Sequence, residues 1–286
     1  MHALLPLLVL LFAPMPAQEP PPPARVLQPE DLEQRRAATA ALTTALQTDG
    51  EPRTGLLAAL QTAAERLPVG SMAHTRAAGL VANPPVGPAL AAAVRDLAAD
   101  LTFAPVQEAP LPDGVPGFAA LDELEIRTYP AYRMVRASMR RGSFVAFRPL
   151  LSHITQREIA MTTPVQVDYD AEGARPDTMA FLYGSQDLGP LGSDGRTEVV
   201  DVPPMTVLTL GSRGYERTDR LAAMRARLEA WLAASPEWQA TAPLRIMTYN
   251  SPSVGDDRRY FEVQLPIGKR VPAAAPAAPG EARRDV

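Results

Sequence analysis

The sequence predicts an α+β protein in which an all-α N-terminal region precedes a duplicated βαββ domain. Ala, Leu, Arg, Glu and Gln, which favour helices, dominate residues 29–102. Residues 123–267 instead show the order strand, helix, strand, strand twice, and in both halves the strand after the helix ends at a proline, Pro164 or Pro252. Proline removes a donor from the sheet ladder, so we expect each of these strands to stop at a sheet edge or rim.

The N-terminal region predicts four helices, at about 29–48, 53–67, 70–82 and 88–102. Leucine and alanine at helical spacing, for example at Leu56, Leu60 and Ala63, give the second helix one apolar face. We interpret the region as a small helical bundle or arm. It serves either for packing or for docking a protein partner.

In the first βαββ half the sequence predicts strand 123–139, helix 143–155 and strands 158–169 and 178–183. In the second half it predicts strand 205–211, helix 218–234 and strands 244–250 and 260–266. Two such units form an antiparallel sheet with a helix on each side. Closure into a distorted antiparallel β-barrel flanked by the two helices would remove exposed strand edges. A cleft between a helix and the curved sheet is then the expected place for a small ligand.

The remaining segments predict export and flexible connections. The apolar run 4–12 and the small residues after it predict a signal peptide over residues 1–17, cleaved near Ala17, and therefore a secreted or periplasmic protein. A Pro-rich spacer follows at 18–28, a linker at 103–122 and a disordered tail at 268–286.

Composition excludes several classes of function. The net charge of −4 gives no basic footprint for nucleic acid. The chain has no cysteine, which rules out disulfides, thiolate nucleophiles and cysteine-bound metals. No further segment is long and apolar enough to predict a transmembrane helix.

Several short motifs in residues 123–267 resemble the SOUL haem-binding family. They are Tyr129-Pro130 with Tyr132, the pair Phe147 and Leu150, the run 157–165, Met205-Thr206-Val207, and Tyr249-Asn250-Ser251-Pro252. The resemblance implies the duplicated βαββ barrel. It also implies binding of haem or a related tetrapyrrole in a hydrophobic groove beside a helix. The family's Gly-rich ending of the first helix is replaced here by residues 152–156.

Haem needs an apolar slot, cations for its propionates and, in some proteins, an axial ligand. The predicted cofactor site lies on and beside helix 143–155 and comprises Phe147, Arg148, Leu150, His153 and Met161. His153 is the only histidine of the domain and so the only candidate histidine for the iron; a solvated or capping histidine is the alternative. Arg148, with Arg140 and Arg141, suits propionates, whereas an ordinary exposed basic surface is the alternative.

No catalytic motif is present, so we expect a non-enzymatic protein. Two alternatives stay open. The helical arm could make the chain a protein-interaction module with the SOUL-like domain as scaffold. The chain also resembles GyrI-like effector-binding domains, which bind or hydrolyse small molecules and place a glutamate in a cavity for cationic aromatic ligands. Glu262 would take that role if it pointed inward, but we expect it to face solvent.

Overall fold

The computed structural model describes residues 25–270, apart from Asp49 and Glu51. The predicted signal peptide, the spacer as far as residue 24 and the tail from residue 271 onwards lie outside these residues, and they stay predictions.

The N-terminal region forms four helices close to their predicted bounds: α1 Asp31–Leu46, α2 Arg53–Arg66, α3 Met72–Ala82 and α4 Pro88–Leu101. Their apolar faces enclose a core of their own, in which Leu42, Leu60 and Val94 are fully buried. The Ser71 side chain caps α3 by accepting from the His74 N–H at 3.1 Å, and Pro88 opens α4, where a missing N–H costs nothing.

Residues 124–270 contain two helices and ten strands. The helices are α5 Ser143–Gln156 and α6 Thr218–Ala234. The strands are β1 Leu124–Tyr129, β2 Tyr132–Ser138, β3 Val165–Tyr169, β4 Pro176–Leu182, β5 Gly192–Ser193, β6 Glu198–Val202, β7 Met205–Arg213, β8 Trp238–Ala240, β9 Arg245–Thr248 and β10 Tyr260–Lys269. The units β2-α5-β3-β4 and β7-α6-β9-β10 are the two predicted βαββ halves, and all strand pairs between the named strands are antiparallel.

The predicted closed barrel is wrong, because the strands form one open sheet. Its order is β1-β7-β10-β9-β3-β4-β2-β6-β5, with β8 added beside β10. Prolines account for the opening. Pro130 divides the predicted strand 123–139 into β1 and β2, and Pro203-Pro204 separates β6 from β7. Proline donates no ladder hydrogen bond, so strand pairing is interrupted at both places. The pair β1–β7 and the pair β2–β6 therefore join different parts of the sheet.

Two strand bounds and three short strands also differ from the prediction. Strand β3 begins only after Pro164, so residues 158–164 are not a strand. Strands β5, β6 and β8 are not predicted from the sequence, and β10 continues to Lys269 instead of ending at residue 266.

The sheet is covered on both faces. Helix α6 packs on Phe261 and Val263 of β10, and α5 packs on Phe181 of β4. On the opposite face, segment 103–122, the predicted linker, packs on the inward side chains of the sheet. This cover determines where a ligand can approach the domain.

The helical bundle is attached to the sheet through Glu123, which is buried. Its Oε1 accepts from Arg35 Nη1 of α1 at 2.7 Å and from the Ala73 N–H at 3.0 Å, and its Oε2 accepts from the Met72 N–H at 3.0 Å. Val26 adds a parallel bridge to Leu124, which protects the edge strand β1. A protein partner for these helices stays a prediction.

Candidate functional site

Helix α5 presents apolar side chains to solvent. Leu150 and Ile154 face the sheet, whereas Phe144, Val145 and Leu151 are 70%, 48% and 44% exposed. Large apolar side chains grouped on one exposed helix face are uncommon unless the face contacts a ligand or a partner. We call this surface, together with Arg148, the α5 face.

Three arginines border the α5 face without a carboxylate partner among residues 25–270. Arg148 lies over the Phe144 ring, with its guanidinium carbon 5.8 Å from the ring centroid, and Arg140 and Arg141 precede the first turn of α5. Unpaired guanidinium groups beside an apolar surface suit a ligand that combines a flat apolar body with carboxylates.

The structure brings together three of the predicted site residues beneath α5. Phe147, Leu150 and Met161 belong to one apolar cluster, in which the Phe147 ring meets Phe181 edge-on at 5.1 Å between centroids. Leu150 is fully buried. These residues fill the space between helix and sheet, and their contact with haem stays a prediction.

His153 is buried, at 5% exposure, so the solvated alternative is wrong. Its Nε2 lies 2.9 Å from the Tyr183 hydroxyl and its Nδ1 3.0 Å from Thr197 Oγ1. Burial, followed by the nearby Arg157, lowers the pKa of His153 below its ordinary value. Both ring nitrogens already have partners, so binding iron would require one of these hydrogen bonds to break.

Glu262 points inward, contrary to our expectation. It lies on the β10 face that segment 103–122 covers, with no exposed surface. Its Oε1 accepts from the Ala119 N–H at 2.9 Å and the Tyr260 hydroxyl at 3.0 Å. Its Oε2 accepts from the Thr209 hydroxyl at 3.0 Å and from Gln264 Nε2 at 2.7 Å. With four donors in place, the carboxylate serves as an anchor for the covering segment.

The hydrogen bonds of Glu262 continue into a buried polar network. Gln264 Nε2 donates to the Tyr129 hydroxyl at 2.7 Å, and Gln264 Oε1 accepts from Arg245 Nε at 2.9 Å. Burial, followed by the charge of Glu262, raises the pKa of Tyr129 to about 12. Burial alone lowers the pKa of Arg127, but the carboxylates of Glu262 and Glu125 outweigh it and raise that pKa. The sequence does not reveal this network, because its members come from four strands, β1, β7, β9 and β10, that become neighbours only in the folded sheet.

Two classes of site are not found in the described part of the chain. No group of three or more His, Asp or Glu residues there is arranged to hold a metal ion. None of the described helices is long and apolar enough to cross a membrane.

The structure has two antiparallel βαββ halves in one open sheet, with helices α5 and α6 on one face. This architecture is that of a duplicated βαββ domain. A family model described as "SOUL heme-binding protein" matches residues 116–266, more than half of the chain. The chain belongs to the SOUL heme-binding protein family. The matched residues include α5, the α5 face and Glu262.

Solved structures show only weak likeness. EcmrR in a complex with DNA is 15% identical with a TM-score of 0.41, and the match covers 52% of this chain and 58% of EcmrR. A hydrolase from Listeria innocua is 9% identical with a TM-score of 0.42, covering 53% of this chain and 94% of the other. SAV2435 bound to tetraphenylphosphonium is 9% identical with a TM-score of 0.32, covering 51% and 94%. These scores are too low to support an argument about function. A search of curated proteins found no match.

Proposed function

We propose that this protein binds haem or a related tetrapyrrole on the α5 face and catalyses no reaction on it. The observation that supports this proposal is that three exposed apolar side chains lie beside three arginines with no carboxylate partner in the described part of the chain, at one end of a family-matched domain. No catalytic motif is present in the sequence.

The chemistry of the ligand matches the two parts of this surface. The macrocycle is flat and apolar, and covering apolar side chains gains roughly 25 cal/mol for each Å² removed from water. The propionates are carboxylates, which the guanidinium groups of Arg140, Arg141 and Arg148 can bind through paired hydrogen bonds. Phe147, Leu150 and Met161 would then support α5 from below.

The proposal needs no axial bond from His153, since both nitrogens of that ring are engaged. Binding then depends on the ring and its propionates. Haemin and iron-free protoporphyrin should therefore bind with similar affinity.

The test is a titration of the full chain with haemin and with iron-free protoporphyrin, followed by absorbance. We expect saturable binding of both, and a loss of roughly tenfold or more in affinity for Arg148→Gln and for Phe144→Ser, because each removes an interaction worth about 1.4 kcal/mol or more. Arg258→Gln, at an exposed arginine in the loop before β10, is the matched control and should bind normally.

Two results would contradict the proposal. Binding of haemin alone, abolished by His153→Ala, would assign the iron to His153 instead. Saturable binding that neither Arg148→Gln nor Phe144→Ser weakens would place the ring elsewhere.

We also propose that the protein is exported, which rests on the apolar run 4–12 and the small residues that follow it. Mass spectrometry of the protein from its native cells should find a mature N-terminus near residue 18. An intact residue 1 in the mature protein would contradict export by this signal.

A further inference from the structure

A second cleft lies between the helical bundle and the SOUL domain, away from α5. Its volume is about 760 Å³, and its walls are α1 on one side and residues 100–105 and 118–121, with Glu125 and Arg127, on the other. The α1 wall is a single stripe at helical spacing: Leu32, Arg35 and Arg36, Thr39 and Ala40, and Thr43. At 1.5 Å per residue this stripe is about 16 Å long, so the cleft is an elongated trough.

The walls of the trough are mostly apolar. Leu32 is exposed on the rim, and the Thr39 hydroxyl donates to the Arg35 carbonyl at 2.9 Å, which turns its polar atom away from an incoming ligand. Phe103 and Phe118 form the opposite wall. Their rings pack on the buried Tyr260 at 6.1 and 5.5 Å between centroids, so this wall is fixed in place.

The charges around the trough leave one cation without compensation. Arg35 pairs with Glu123 at 2.7 Å and Arg127 with Glu125 at 2.9 Å. Asp100 pairs with both Arg76 and Arg213, at 2.5 and 3.1 Å. Arg36 also lines the trough and is exposed, and it has no carboxylate partner in the described ranges. An anionic group at this rim would therefore gain an ion pair that the protein itself does not supply.

We propose that the trough binds an elongated apolar carboxylate of the long-chain fatty acid class, with Arg36 holding the carboxylate and the chain lying along α1. The length, the apolar walls and the single uncompensated cation all fit one anionic head on one extended apolar body. This site is independent of haem binding on the α5 face, because the two share no residue.

The first test is a titration of the full chain with a fluorescent polyene fatty acid and with its methyl ester. The acid should bind saturably at one site, and the ester roughly tenfold or more weaker, because it lacks the charge that Arg36 recognises. Arg36→Gln should lower the affinity for the acid to that for the ester and leave the affinity for the ester unchanged. Equal affinity for acid and ester, or no effect of Arg36→Gln, would overturn the proposed role of Arg36.

The second test blocks the trough. Ala40→Trp and Thr43→Trp place a large ring on the lining stripe at exposed positions, so we expect both to abolish binding while circular dichroism stays unchanged. Gln34→Trp, at an exposed α1 position outside the lining, is the matched control and should bind the acid normally. Undiminished binding in both folded blocking variants would overturn the location.

Crossed measurements separate this proposal from the proposed function. Arg148→Gln should weaken the binding of haemin and leave the binding of the fatty acid unchanged. Arg36→Gln should weaken the binding of the fatty acid and leave that of haemin unchanged. Haemin that competes with the fatty acid one for one would show a single shared site and would overturn the independence of the trough. Loss of haem binding alone would leave the fatty-acid site standing.

Discussion

At the scale of single residues, Glu262 shows how an acidic side chain becomes structural. Its two oxygens accept from a backbone N–H, two hydroxyls and one amide, so each lone pair that leaves water gains a partner. Arg127, with its guanidinium 3.8 Å away, balances the charge. The same arrangement fixes segment 103–122, because the Ala119 N–H donates to Glu262 and the Ala119 carbonyl lies 2.7 Å from the Tyr260 hydroxyl, whose one proton it shares with Glu262.

Glu262→Gln should lower the free energy of unfolding by about 1–3 kcal/mol. The new amide nitrogen would face either Gln264 or Ala119, both of which donate, and would leave a buried donor unpaired. Denaturant unfolding measures the change. Glu229→Gln, the same substitution at an exposed site on α6, should stay within about 0.5 kcal/mol of the parent. An equally small effect of Glu262→Gln would show that the four bonds contribute little.

His153 should make the domain sensitive to mild acid. Its folded-state pKa lies below the unfolded value of 6.5, so the unfolded chain binds the proton more readily. The stabilisation is therefore complete above about pH 6.5 and is lost as the pH falls towards the folded pKa. Unfolding measured between pH 7.5 and pH 5, roughly one unit or more either side of that value, should show a steeper decline for the parent than for His153→Gln.

Ser152→Ala, at an exposed position next to His153 on α5, changes no titratable group; it is the control for this pH dependence and should decline as steeply as the parent. Parallel curves for the parent and His153→Gln would contradict a role of His153 in acid sensitivity.

The sequence could not reveal the burial of Glu262 and His153, because each is covered by a distant part of the chain. Helical spacing sets His153 off the predicted apolar face of α5, which favours a solvated side chain. Thr197 and Asp194, which enclose it, belong to a loop some 40 residues later. Strand alternation likewise places Glu262 opposite Phe261. That rule assumes that one face of the sheet is exposed to solvent. Here the second face of the sheet is covered by a Pro-rich segment without helix or strand.

At the scale of elements, the bundle and the sheet are joined by an interaction that helix patterns do not predict. The helices themselves follow from composition and from breakers such as Pro68. Their docking depends on Arg35 and Glu123, which are 88 positions apart in the chain. Glu123 also accepts from two N–H groups in the first turn of α3, where the helix dipole favours an anion.

Glu123→Gln should destabilise the protein by about 3–5 kcal/mol, since it leaves the buried Arg35 without its counter-charge. Chemical denaturation would measure the loss, and limited proteolysis between bundle and sheet would report whether the docking loosens. Arg76→Gln removes an exposed ion pair with Asp100 at the same junction and should cost less than about 1 kcal/mol.

A double-mutant cycle separates the ion pair from the capping of α3. If Arg35→Met restores part of the stability lost in Glu123→Gln, the unpaired charge is the main cost. A Glu123→Gln variant as stable as Arg76→Gln would contradict the anchoring role of this residue.

At the scale of the whole molecule, the order of elements predicted the duplicated βαββ architecture, whereas closure of the sheet was not predictable from it. Periodicity identifies strands and helices locally, and the order strand, helix, strand, strand reveals the repeat, although β3 begins after Pro164 and does not end there. Closure depends on which strands pair on each side of the prolines between β1 and β2 and between β6 and β7. The residues before and after Pro130 pair with different strands. Two of the family motifs, Tyr129-Pro130 and the run 157–165, lie where the predicted strands differ from the observed ones.

The cover formed by segment 103–122 should make the whole domain sensitive to alkali. Tyr129, Tyr249 and Tyr260 face it, and burial, followed by the charge of Glu262, raises the pKa of each, to about 12 for Tyr129 and well above the ordinary value of 10 for the other two. The folded state therefore holds these protons more tightly than the unfolded chain does. Stability is full below about pH 10 and is lost as the pH rises towards the folded values.

Phe118→Ala should lower the pH at which the tyrosines ionise, because its ring covers Tyr249 and Tyr260 at 5.0 and 5.5 Å between centroids. Phenolate absorbance across an alkaline titration measures the midpoint, and far-ultraviolet circular dichroism shows whether unfolding accompanies it. Phe144→Ala makes the same change on the exposed α5 face and should leave the midpoint in place. If the two variants titrate alike, the cover does not control access to the buried face, and Glu262 would be reachable by solvent without unfolding.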